Sequence, residues 1–256
     1  MGWEIMKLTF ENPGYAYMLQ SILEFQGDNQ GEFFREALYK FYPNFNKEKM
    51  DSLDTRGKKE YIDSVTKDIY EEKKKLLEEK VIDYQKHWDE NKEIIQQAFE
   101  EIFNMNLDNE FNSMKGNISL NPICPRYLNT NTFDIFYLNS ERGALGLALH
   151  EITHFIWFKK WQEIFKDNPE EYEYPSLKWI FSEMVVESIL SDERLKALNP
   201  YTGENVYEYF YKLKLDGELV LDILDKLYKE NSIKDFMEQG FEFCKAQEAL
   251  IRSVMY

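Results

Sequence analysis

Between residues 58 and 104 apolar side chains recur at helical spacing through heavily charged sequence. Tyr61, Val65, Ile69, Leu76 and Leu77 share one face while Glu and Lys fill the rest, which predicts long charged helices with a single buried side. Upstream, Ile5 to Phe10 reads as a short strand before the turn signal Asn12-Pro13-Gly14. Tyr15 to about Tyr42 reads as helix, broken near Gly27-Asp28-Asn29 and closed by Pro43. The pattern changes between 117 and 139. Asn117 to Pro122 and Thr132 to Leu138 are short, rich in β-formers and separated by turn chemistry, so a small sheet is expected there. Ser140 can then cap a helix from Glu141 to about Phe165, ended by Asn168-Pro169. Another helix is predicted from Ser176 to about Leu198, stopped by Asn199-Pro200. Two or three more follow, with breaks near Asp216-Gly217 and Gly240. The expected architecture is α+β and mainly helical. A helical N-terminal region, residues 1–112, would form one wall of a cleft, and residues 113–256 would carry the sheet and the chemistry.

Composition narrows the partners. The formal net charge of -16, from 47 acidic and 31 basic side chains, repels phosphate backbones and argues against nucleic acid. The basic run Lys73-Lys74-Lys75 is interleaved with Glu71, Glu72, Glu78 and Glu79 and reads as a solvated helix face. No segment approaches the roughly 18 consecutive apolar residues of a membrane helix. The first residues lack a basic and then apolar leader pattern. Cys124 and Cys244 stand far apart without metal-type spacing, and read as two reduced buried thiols rather than one disulfide. The expectation is a soluble cytoplasmic protein that binds no membrane.

The chemistry concentrates in His150-Glu151-Ile152-Thr153-His154. Two histidines four apart project from one face of a helix, one turn apart, so both imidazoles can reach a single ion. The glutamate after the first histidine lies on the adjacent flank, where its carboxylate can act on water without being a ligand. Ala144, Leu145, Ala148, Leu149, Ile152, Phe155 and Ile156 make this helix apolar, as expected inside a domain. The chain has three histidines, and two of them fall in the motif.

A catalytic zinc takes three protein ligands and keeps one open position. His87 lies in the charged helical region, and Lys160 stands where an extended motif would place a third histidine, so a carboxylate is the expected third ligand. Glu183 and Glu187 interrupt an otherwise apolar segment and lie ~40° apart on one helical face. Carboxylates set among apolar neighbours are costly unless a cation, partner or proton neutralises them. Glu183 is the expected ligand, with Glu187 accepting a hydrogen bond from a ligand imidazole. The swapped assignment, and pairing of both acids with buried Lys or Arg, stay open.

HEITH followed by a glutamate on a later helix, with a second acid four residues beyond, resembles the gluzincin branch of zinc metallopeptidases. The resemblance covers roughly residues 132–192. It implies a zincin-like fold with a small antiparallel or mixed sheet next to the active helix. It also implies Zn2+ on His150, His154 and Glu183, with Glu151 as the general base for peptide hydrolysis. The family usually has Asp where Glu187 stands. The resemblance further implies that Thr132 to Leu138 is a sheet edge on which an extended peptide pairs its backbone; a buried strand with no open edge is the alternative reading. Arg126, Tyr201, Tyr207, Tyr209 and Tyr211 are candidates for the oxyanion donor, and spacing does not choose among them. A peptide or protein substrate is therefore expected. Hydrolysis of a non-peptide amide, or a non-catalytic binding protein on the same architecture, are the competing functions.

Overall fold

The computed structural model describes residues 6–27, 32–107 and 111–255, with all side chains there except Glu32 and Phe33. Ile5, Asp28 and Asn29, on which sequence expectations fell, lie outside the described residues. The chain is mainly helical, with one small mixed sheet and a separate two-stranded antiparallel sheet. At that level the α+β expectation holds. No helix among the described residues is long and apolar enough to cross a membrane. The chain divides into two compact units. One comprises residues 6–90 and 111–144, the other the described residues of 91–110 and 145–256. The boundary drawn at residue 112 from sequence falls inside the first of these.

The first unit holds the mixed sheet. Its strands are β1 (Leu8–Glu11), β2 (Met114–Ser119), β3 (Arg126–Tyr127) and β4 (Thr132–Phe136), in the order β1-β2-β4-β3. Parallel pairing sets Leu8 opposite Met114 and Lys115 opposite Thr132. β3 runs antiparallel to β4, with Arg126 opposite Phe133, and the Asp134 amide donates to the Pro125 carbonyl at 2.9 Å. β4 is therefore flanked on both sides along Thr132–Asp134. The expected open edge is taken there by a two-residue strand too short to register as a hydrophobic pattern.

Three helices, α1 (Tyr15–Phe25), α2 (Glu32–Phe41) and α3 (Lys47–Ser52), precede α4 (Thr55–Phe103), whose residues up to 90 belong to this unit. α4 is one helix of 49 residues where several were expected. It contains no proline, and its one glycine, Gly57, sits in the first turn, so nothing interrupts the ladder. Asp134, fully buried, ties β4 to its neighbours. It accepts hydrogen bonds from Tyr17 Oη (2.7 Å), Ser21 Oγ (3.0 Å) and Asn117 Nδ2 (3.2 Å). Burial pushes its carboxyl up to about 6, against the lowering effect of those three donors.

The second unit is built around α5 (Glu141–Phe165) from Leu145 onward. It continues with α6 (Leu177–Ile189), α7 (Glu193–Leu198), the hairpin strands β5 (Lys214–Leu215) and β6 (Glu218–Leu219), α8 (Val220–Glu230), α9 (Ile233–Ala246) and α10 (Glu248–Arg252). Ser140 caps α5 by accepting from the Gly143 amide at 3.1 Å, and Ser176 caps α6 by accepting from the Trp179 amide at 3.1 Å. The helix expected from Ser176 to Leu198 is two helices. Asp192 accepts from the Arg194 amide (2.9 Å) and so opens α7 with a new cap.

Gly240 is not a break. It lies inside α9, where a Cβ would stand 2.6 Å from Phe181 Cζ, so its lack of a side chain lets α9 close on α6. Around this contact Trp157 packs edge-on to Phe181 (centroids 5.2 Å apart) and Phe236 (6.0 Å), and Trp161 packs on Phe241 (4.9 Å). Neither cysteine is in a disulfide; Cys244 is buried as expected, while Cys124 is only half-buried.

Candidate metal centre

α5 is buried nearly all round from Gly143 to Phe158, which explains its apolar sequence. His150, His154, Trp157 and Trp161 recur at helical spacing along one stripe of it. The two tryptophans pack against α6 and α9, and the same packing presents the imidazoles to α6. His154 Nε2 lies 3.1 Å from His150 Nε2. The Glu183 carboxylate, from α6, straddles the pair, with Oε2 3.5 Å from His150 Nε2 and Oε1 3.4 Å from His154 Nε2. Two ligand atoms each ~2.0–2.1 Å from one zinc ion, at a tetrahedral angle, stand about 3.3–3.4 Å apart. The three separations fit that requirement. The donor set, two imidazoles and a carboxylate, also suits zinc.

Burial grades across the site. The His154 and Glu183 side chains are 0% and 4% exposed, while that of His150 is 21% exposed, so solvent and ligands reach the group from the His150 side. Glu151 is buried, and a carboxylate oxygen of it lies within 4.8 Å of the two histidine nitrogens. Glu151 thus stands close enough to the imidazoles to act on a molecule held there. Phe158 stacks next to His154 and on Tyr172 (4.5 Å), whose hydroxyl donates to Asp167 (2.5 Å), which stiffens the buried end of the stripe.

His150, Glu151 and Glu183 line a cleft of about 320 Å³ together with Gly146, Leu147, Tyr201, Glu204, Asn205, Val206 and Tyr207. The far wall is thus the loop after α7. A Cβ on Gly146 would stand 2.7 Å from Asn199 Oδ1 and from Pro200 Cδ, so this glycine, one turn before His150, admits the loop against α5. Asn199 then organises the loop: its Oδ1 accepts from the Tyr201 amide (2.9 Å), and its Nδ2 donates to Asn205 Oδ1 (2.8 Å).

Glu187 does not accept the hydrogen bond from an imidazole that its helix position led us to expect. Its Oε1 accepts from the Gly203 amide (2.8 Å), and its Oε2 accepts from the Asn205 amide (3.3 Å), Asn205 Nδ2 (2.7 Å) and Tyr211 Oη (3.1 Å). The carboxylate is spent on the cleft wall, and makes no hydrogen bond to either imidazole. One turn of α6 therefore separates a carboxylate aimed at the histidines from one that holds the loop.

The oxyanion candidates separate likewise. Tyr201 and Tyr207 line the cleft. Tyr211 is committed to Glu187, and burial followed by that negative charge pushes its hydroxyl up to about 12. Tyr209 is pushed up to about 12 by burial and then by the charge of Glu183. Arg126 lies on β3, in the first unit. Gly146, Glu204 and Asn205 were missed from sequence. A glycine one turn before a histidine on an apolar helix was the readable sign of close approach, but nothing marked Glu204 or Asn205.

Comparison with known proteins gives no match: no protein-family model, no curated protein and no solved structure resembles the chain.

Proposed function

We propose that this chain is a zinc-dependent hydrolase of gluzincin type, a peptidase that cleaves by attack of water on a peptide carbonyl. The reading is carried by one observation: His150 Nε2, His154 Nε2 and the Glu183 carboxylate converge within 3.1–3.5 Å of one another, beside a cleft lined by His150, Glu183 and Glu151. His150, His154 and Glu183 would hold the metal, and zinc supplies Lewis acidity that polarises a carbonyl and acidifies water to a pKa of about 7.

The chain's own groups do the rest. Glu151 takes the proton of the attacking water on a carboxylate oxygen and returns it to the leaving nitrogen. That carboxylate is buried on an apolar helix and borders the cleft. Tyr201, which lines the facing wall, is our candidate donor to a developing oxyanion.

The test is purified protein assayed for bound metal, and for cleavage of an unstructured protein with and without chelator. About one zinc per chain and chelator-sensitive cleavage are expected. Glu151→Gln should retain the zinc and lose turnover by at least ~100-fold. Retained turnover in that variant, or cleavage indifferent to chelator, would overturn the reading.

A further inference from the structure

The cleft walls carry a consistent charge. Glu151, Glu183 and Glu204 line it, and among the described residues no Lys or Arg does. In the proposed reaction the first two are committed, Glu183 to the metal and Glu151 to the proton. Glu204 is not. It is exposed at the cleft, and its carboxylate makes no hydrogen bond or ion pair among the described residues; only its amide is bonded, to the Tyr201 carbonyl (2.8 Å). A free carboxylate on a wall otherwise knitted together by Glu187, Asn199 and Asn205 is held in place without being used to hold anything.

The same cleft is also lined by the inner end of a row of aromatic rings. Tyr174 packs edge-on to Trp179 (5.2 Å), Trp179 against Tyr207 (5.9 Å), and Tyr207 stacks on Tyr209 (5.4 Å, 9° between planes). Trp179 lies one turn before Glu183 on α6, so the row is fixed to the helix that carries the carboxylate. Tyr174 and Tyr207 are 57% and 39% exposed, and Tyr207 reaches the cleft itself. Aromatic faces beside an unpaired carboxylate form a receptor for a cation on an apolar stem. The ring quadrupole attracts the charge, the ring covers the methylenes, and the carboxylate pairs with the head.

Resting on the hydrolase reading, we propose that Glu204 and Tyr207 form a specificity subsite for a basic side chain, Lys or Arg, close to the bond that is cleaved. The preferred substrates are basic, unstructured peptide segments, which the chain's net charge of -16 also attracts from solution.

The experiment compares binding and cleavage of a fluorogenic peptide series, identical except for Lys, Arg, Gln or Glu beside the central bond. Binding is read on zinc-supplemented Glu151→Gln protein by fluorescence anisotropy, so the result does not depend on turnover. Peptides with Lys or Arg should bind roughly tenfold tighter than the Glu peptide, given one exposed ion pair and one cation–π contact, and the gap should narrow at high salt. Glu204→Gln should flatten the ranking and Glu204→Lys should invert it, while Tyr207→Leu should weaken the basic peptides alone. A ranking indifferent to charge, or one unchanged in Glu204→Lys, overturns the subsite. So does absence of binding by every peptide. If chelator-sensitive cleavage of unstructured protein persists in any of those cases, the hydrolase reading survives and the subsite alone fails.

Discussion

Replacing Glu187 by Gln separates two roles that its position in sequence cannot distinguish. The carboxylate accepts four hydrogen bonds, one on Oε1 from Gly203 and three on Oε2 from Asn205 and Tyr211. Glutamine has one acceptor oxygen. With that oxygen placed as Oε2, the three bonds there survive without charge assistance, while the amide NH₂ faces the Gly203 N–H, donor against donor. A hydrogen bond to a charged group is worth ~1.5–3 kcal/mol. Gly203 is exposed, so water recovers part of the loss, and the low end applies. Adding a few tenths for each weakened bond gives a destabilisation of about 2 kcal/mol, concentrated in the loop that forms the cleft wall. Urea unfolding measures the total, and amide exchange at Gly203 and Asn205 locates it. Zinc affinity should stay within a factor of about two, because neither imidazole touches this residue. Were Glu187 instead to orient a ligand histidine, its loss would weaken the metal ~10–100-fold. A fall of that size, with unchanged exchange in the loop, would refute the reasoning.

Other consequences follow from the packing and the buried charge. Gly240→Ala drives a methyl to within 2.6 Å of Phe181, and overpacking of this kind costs ~1–3 kcal/mol, to be read as a lower urea midpoint with a reduced near-ultraviolet aromatic signal. Asp134 is held at about 6 in the folded chain against an ordinary 3.8, mainly by burial. Because its folded value is the higher one, it adds no penalty below the ordinary value, and the chain loses stability as pH rises through the window up to about 6. The loss levels off near 3 kcal/mol, from ~1.4 kcal/mol per pKa unit. Asp134→Asn should match the wild type near pH 3.5 and exceed it by up to that amount at pH 7 in urea titrations. A stability difference that does not vary with pH would contradict this.

Much of the site was legible because it is local in sequence. The imidazole spacing, the apolar run around it, the Ser140 and Ser176 caps and the acid at 183 are each consequences of short-range periodicity. What escaped depended on contacts made at a distance. Glu183 and Glu187 look alike along the helix, and only the loop returning at 203–211 turns one away from the histidines. Gly240 resembles a helix breaker until Phe181 is seen occupying the space a side chain would need. β3, two residues long, carries no period, yet it covers part of the β4 edge on which substrate pairing had been expected. Asp192 opens a second helix where apolar spacing alone continued the first. α4 carries a period so uniform that neither its unbroken length nor the division of the chain into two discontinuous units could be read from it.

The central claim is that His150, His154 and Glu183 share one cation. Anomalous diffraction at the zinc edge, from crystals of the zinc-supplemented protein, tests it most directly. The account predicts a single strong peak ~2.0–2.2 Å from His150 Nε2, His154 Nε2 and a Glu183 oxygen, with Glu187 still bonded to its loop. A peak on other residues, or none between the two imidazoles, would contradict it.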